Sequence, residues 1–165
     1  MIILGIDPGT ATTGWGLIHV TDNSTLSVIK YGLIETPKDG APANRLASIN
    51  AQLCSIIDTH KPDIFVMEKL FFATNAKTAI RVGQAQGVML MAAATANLPV
   101  YEYAPGSIKK MVSGNGRADK TMVQQAVRKV LGAGVRKQKG KKTHFDNAAD
   151  ALAVAICHVY TVNST

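Results

Sequence analysis

The sequence predicts an α/β fold, a five-stranded mixed sheet flanked by helices, and three observations point to it. The first third reads as three short strands separated by Gly, Asn and Ser, as in an antiparallel meander. A stretch of helical periodicity then leads into a continuous β-branched run of the buried-strand type. An Ala-rich helical segment follows, with one more short strand and further helices.

In order, the strands are Ile2 to Ile6, Gly14 to Val20 and Leu26 to Ile34. From Pro42 to His60 the apolar positions Leu46, Ile49, Leu53, Ile56 and Ile57 recur at helical spacing, so this is a crossover helix into the strand Ile64 to Met67. Thr74 to Asn97 is the Ala-rich helix, and Val100 to Tyr103 is the last strand, after a Pro. Ser107 to Val112, Asp119 to Leu131 and Asp146 to Tyr160 read as helices, and Gly132 to Thr143 as a mobile loop.

The 165 residues, 47% hydrophobic and 18% charged, fit one domain spanning 1–165 and exclude most large multidomain enzymes. The net charge of +7 is concentrated: between Ser107 and Lys142 stand eleven basic residues and one acid, Asp119. Such a block, which includes Lys109, Lys110, Arg117, Lys120, Lys137, Lys139, Lys141 and Lys142, suits a polyanion, because binding a phosphate backbone releases its counterions. A membrane surface would favour Trp or Phe within the block, which has neither, so nucleic acid is the expected partner and no membrane is. Cys54 and Cys157 match no metal or disulfide spacing and read as reduced core thiols of a cytoplasmic protein. The apolar start Met1 to Ile6, interrupted by Asp7, is too short for a signal peptide.

Three acids stand out. Asp7 closes the first strand ahead of Pro8-Gly9, where a carboxylate either bonds its own turn or projects from the strand end. Glu68 ends the run Ile64-Phe65-Val66-Met67, where a carboxylate is costly without a cation or a partner such as Lys69 or Lys77. Asp146 and Asp150 open the last helix, and acids there are ordinarily capping residues, the reading favoured for Asp146. Asp150 precedes the small apolar surface Ala151-Leu152-Ala153-Val154-Ala155-Ile156, suited to lying flat on a sheet, which carries its carboxylate toward the strand ends. Three convergent carboxylates in a protein with a polyphosphate partner make a hard-cation site for Mg²⁺ or Mn²⁺. Two ions per active site can activate a water and neutralise the leaving 3′ oxygen.

With these residues in place, the sequence resembles the RuvC family of Holliday junction resolvases, which have a ribonuclease-H-like fold. The resemblance rests on Leu4-Gly5-Ile6-Asp7-Pro8-Gly9 with Thr13-Gly14-Trp15-Gly16, on Met67-Glu68-Lys69-Leu70-Phe71 with Asn75 and Gly83-Gln84-Ala85-Gln86-Gly87, on Ile108-Lys109 with Gly114 and Lys120, and on Ala148 to His158. It implies a homodimer that grips four-way junction DNA in recombination and repair, nicks two strands symmetrically and leaves 5′-phosphate ends. It implies a branch-migration motor complex (RuvA, RuvB) as partner. Asp7, Glu68 and Asp150 match the family's metal-binding acids, Lys109 and Lys120 its basic residues near the active site, and Phe71 an aromatic that meets a base near the junction centre. A stacked ring stabilises an unpaired base; the alternative for Phe71 is a core or interface aromatic.

One position departs from the family. Three residues before the terminal acid, where the family has a second acid or a histidine, stands Asn147, whose amide oxygen ligates a metal without charge. Asp146 or His144 could replace it, and an Asp-to-Asn change engineered to trap a DNA complex would look the same. Asn147 keeps open a junction-binding protein with weakened or lost cleavage. An actin-like phosphotransferase, suggested by Gly5-Ile6-Asp7-Pro8-Gly9-Thr10, needs a second domain to enclose ATP, and a nuclease acting on RNA precursors is disfavoured by the match through Phe71, Lys109 and Lys120.

Overall fold

The computed structural model describes every residue except 23, 38, 70–75, 133–134, 136–141 and 165, together with the side chains of 142–146. The elements run β1 (Ile2–Asp7), β2 (Thr12–Val20), β3 (Leu26–Glu35), α1 (Pro42–His60), β4 (Ile64–Glu68), α2 (Ala76–Thr95), β5 (Val100–Tyr103), α3 (Pro105–Ser113), α4 (Lys120–Leu131) and α5 (Lys142–Asn163). They form the five-stranded mixed sheet expected, in the order β3-β2-β1-β4-β5. The meander β1, β2, β3 is antiparallel, while β1–β4 and β4–β5 are parallel. β1, β3 and β4 therefore finish at the same edge of the sheet, and α1 and α2 begin there.

Alternation along the strands divides the core. Ile3 and Val66 face α3, α4 and α5, whereas Leu4, Ile6, Phe65 and Met67 face α1 and α2. Local chemistry sets the helix ends. Pro occupies the first turn of both α1 and α3, where its missing N–H costs nothing. Gly114 closes α3 at φ 79°, and the Asp119 carboxylate caps α4 by accepting from the Met122 N–H at 2.8 Å.

Two expectations change. β1 and β4 each run one residue further, so Asp7 and Glu68 are the last strand residues and their backbones are fixed by the sheet. The Ala-rich helix is described over Ala76–Thr95; its expected start at Thr74 falls outside the described residues. α5 starts at Lys142, so Asp146 and Asp150 do not open it and its first turn holds no acid. No Gly or Pro lies between Lys141 and Asp150, so a helix held on the sheet at its middle propagates back toward Gly140. Lys142 and Thr143, expected in a loop, thus belong to the helix. Within the rest of that expected loop Gly132 caps α4 and Val135 is buried.

Candidate active site

Three glycines decide how close α5 lies. A Cβ on Gly5 would collide with the Ala151 carbonyl, one on Gly14 with the Asn147 carbonyl, and one on Gly16 with the Leu152 side chain. Gly5 pairs with Gly16 and Asp7 with Gly14 across β1 and β2, so these positions form one patch against which the helix backbone rests. Asp7 lies two residues beyond Gly5 and shares its face; Glu68 lies two beyond Val66 and shares the same face. The parallel register pairs Ile6 with Met67, which sets Asp7 and Glu68 side by side as the next position along. Asp150, on the turn of α5 between Asn147 and Ala151, completes the cluster.

The backbone around these acids is held from both sides. The Gln86 side chain, buried on α2, donates to the Glu68 carbonyl at 2.9 Å. Thr13 Oγ1 donates to the Gly9 carbonyl at 2.7 Å and accepts from its N–H, closing the turn after Asp7. Sequence reasoning assigned neither residue a role. The legible signal was a buried-side glutamine in an Ala-rich helix and a threonine in a run of glycines.

The acids sense one another. Burial, then the Asp150 and Glu68 charges, push the Asp7 carboxyl up to about 7, against a smaller opposing pull from Lys120. Glu68 is also raised, first by burial and then by Asp150, with Lys109 and Lys120 opposing. Lys120 Nζ stands 3.2 Å from Asp150 Oδ2. Lys120 follows directly on the Asp119 cap and Lys109 lies on α3, so the two short helices bring both amines to the acids. Of the five residues expected at the catalytic centre, Lys120 pairs with Asp150, Asp7 and Glu68 feel the Asp150 and Lys120 charges, and Lys109 acts on Glu68.

Other expected residues lie outside it. Lys110 on α3 and Arg117 in the turn before α4 are exposed, flanking the cluster in sequence. Phe71, Lys137, Lys139 and Lys141 lie outside the described residues, as do the side chains of Lys142, His144 and Asp146. Asn147 is half-buried, one turn of α5 before Asp150. Whether Asp146 or His144 stands in for Asn147 falls on side chains outside the described residues.

Among the described residues, no three carboxylates, imidazoles or thiols stand close enough to form a complete ligand cluster by themselves. The donor chemistry nonetheless fits a hard divalent cation. Every donor is an oxygen, and two carboxyls are raised by burial and by neighbouring anions, the strain a cation would relieve.

Comparison with known proteins identifies the family. A family model described as crossover junction endodeoxyribonuclease RuvC matches residues 3–158. The crossover junction endodeoxyribonuclease RuvC of Caldicellulosiruptor saccharolyticus is 43% identical over 164 residues, covering 99% of this chain and 95% of the relative. That of Heliobacterium modesticaldum is 48% identical over 162 residues, covering 98% and 96%. The structure of Thermus thermophilus RuvC in complex with a Holliday junction substrate superposes with a TM-score of 0.87 at 30% identity, covering 99% of this chain and 96% of that one. With a ribonuclease-H-like sheet, acids at adjacent strand ends and a full-length match, this chain belongs to the RuvC family of crossover junction endodeoxyribonucleases.

Proposed function

We propose that the chain cuts four-way junction DNA with Asp7, Glu68 and Asp150 holding Mg²⁺, two ions per site, with Mn²⁺ able to substitute, and Asn147 as a weak further ligand. The observation that supports this reading is the electrostatic coupling of Asp7, Glu68 and Asp150 at the ends of β1 and β4, with Lys120 paired to Asp150 and Lys109 acting on Glu68. Bound metal supplies Lewis-acid polarisation of the phosphoryl oxygen and a more acidic water. Lys120, two-thirds exposed, shares its protons between Asp150 and a phosphate oxygen, and Lys109 offsets charge from the Glu68 side. Lys110, Arg117 and the basic segment ending at Lys142 track flanking phosphates. Phe71 stacks on a base near the junction centre.

Two symmetric nicks need two acid clusters, and one chain supplies one, which supports a homodimer. The exposed face of α2 suits that contact: Ile80 and Met91 are 63% and 56% exposed, and the sites where Gly83 and Gly87 would carry a Cβ are open. The family resemblance adds a branch-migration motor (RuvA, RuvB) as partner. Free Cys54 and Cys157 support a cytoplasmic location, and no helix among the described residues is long and apolar enough to cross a membrane.

The test is cleavage in Mg²⁺ of a mobile four-way junction beside linear duplex of the same sequence. Paired, ligatable nicks in the junction alone are expected. Binding without cutting would leave a junction-binding protein, and equal cutting of duplex would overturn junction selectivity.

A further inference from the structure

On the face of the sheet opposite the acids, a cleft of about 130 Å³ opens between the N-terminal halves of α1 and α2, with the turn after β1 as its rim. That is well above the roughly 10–15 Å³ a single water occupies, so a phosphate group fits. Its walls carry Arg45 from α1, Arg81 and Gln84 from α2, and Thr10 from the turn, over a floor that includes Ile49.

Two guanidiniums converge there, and among the described residues the lining holds no Asp or Glu. α1 also begins at this cleft, with Pro42 and Arg45 of its first turn in the wall, where orphan N–H groups and the helix dipole favour an anion. Arg45 is already oriented: its Nε donates to Thr36 Oγ1 at 3.1 Å, and Thr36 Oγ1 donates to the Thr10 carbonyl at 2.8 Å. Arg81 is exposed, and no ion pair to it occurs among the described residues. Thr10 lies three residues after Asp7, at most about 10 Å along an extended chain, so a strand crossing the sheet edge at the acids can reach the cleft.

We propose that this cleft is a second phosphate subsite, in which Arg45 and Arg81 hold a backbone phosphate of the DNA strand near the one being cut. The proposal rests on the junction-nuclease reading but uses none of its catalytic residues, and Arg45 and Arg81 both lie outside the basic block of Ser107 to Lys142. A planar guanidinium suits bidentate phosphate contact, and two of them from different helices fix the strand's path as well as its charge.

The experiment measures junction and linear-duplex affinity against salt for the full-length protein, Arg81→Gln, Arg45→Gln and Arg45→Lys, and then repeats the junction series with single methylphosphonate substitutions along each strand. Arg81→Gln is expected to weaken binding roughly tenfold and to lower the log–log salt slope by about 1. Arg45→Lys should keep the parent slope while Arg45→Gln loses it. One methylphosphonate position should weaken the parent protein and have no further effect on Arg81→Gln. An unchanged affinity and slope in Arg81→Gln, or methylphosphonate penalties identical in both proteins, would overturn the subsite. The duplex arm keeps the two readings apart: a parent protein that binds both DNAs equally contradicts the junction reading, and its duplex salt slopes still decide the cleft.

Discussion

On one face of the sheet α5 lies with its backbone against Gly5 of β1 and Gly14 of β2, and with the Leu152 side chain on Gly16. On the other, α1 and α2 meet the sheet through Leu53, Ile57, Met89, Phe65 and Met67, side chain against side chain. Flexible side chains absorb small changes by shifting rotamer; a helix backbone resting on glycines cannot. The rigid face carries the helix that sets Asp150 against Asp7 and Glu68. The adaptable face carries the bulk of the large apolar side chains. Placement of the carboxylates thus depends on the absence of two Cβ atoms, at Gly5 and Gly14, and much of the stability on side chains of the other face.

The largest expected effect lies in the acids themselves. Asp7→Asn should reduce single-turnover cleavage of a pre-bound junction by at least about 10²–10³-fold, by analogy with loss of one group that stabilises transition-state charge. Binding should be kept or tightened, because a charge that repels phosphate is gone. Cleavage at near the parent rate would show that the rigid face does not carry the chemistry.

Next comes the glycine patch. Gly5→Ala should destabilise by about 1–3 kcal/mol or more and lower cleavage per folded molecule, because α5 must lift from the sheet. Met89→Leu on the other face should cost under about 1.5 kcal/mol and leave cleavage per folded molecule unchanged. Denaturant unfolding with activity normalised to folded protein checks both, and equal loss of activity in the two variants would erase the contrast.

Titration of Asp7 gives a third test. Its folded value of about 7 lies above the ordinary 3.8, so between these values the native state binds more protons than the unfolded one. Stability in chelator should therefore fall as pH rises from about 4 to about 7. In Asp7→Asn that slope should become shallower, with the raised Glu68 still contributing, leaving the variant more stable at pH 8 by on the order of 2 kcal/mol. Parallel melting curves across this window for parent and variant would mean that burial on the α5 face does not strain the carboxylate. Added Mg²⁺ should stabilise the parent above pH 7 and have less effect on the variant.

The smallest effect concerns Asn147. Asn147→Asp should raise the cleavage rate several-fold at limiting Mg²⁺, since an anionic oxygen binds a hard cation better than an amide, and saturating Mn²⁺ should narrow the difference. Equal rates across the whole metal titration would mean that water or another side chain already completes the site.

Much of this was legible before folding. Asp7 and Glu68 could be read because each ends an apolar run, and in a strand of period two a terminal carboxylate has few directions to take. Asp150 could be read from the alanine-rich surface that follows it. The start of α5 could not, because Asp146 imitates a helix cap and the helix instead extends to Lys142 by propagation from a packed middle. Gln86 was missed because its hydrogen bond is to a backbone carbonyl on another element.

By itself the sequence determined the order and kind of the elements and the identities of the acids and amines, since these depend on periodicity and on residues adjacent in the chain. It also marked Lys109 and Lys120 as basic residues of interest. Only the tertiary structure decided that they reach Asp7, Glu68 and Asp150, because α3 and α4 are aimed by contacts with α5 that no local pattern encodes. The cleft of Arg45 and Arg81 is the clearest case. Its two arginines lie 36 positions apart on different helices, each unremarkable in its own segment, and they face one anion-sized space only because β3 and β4 end at the same edge and start α1 and α2 side by side.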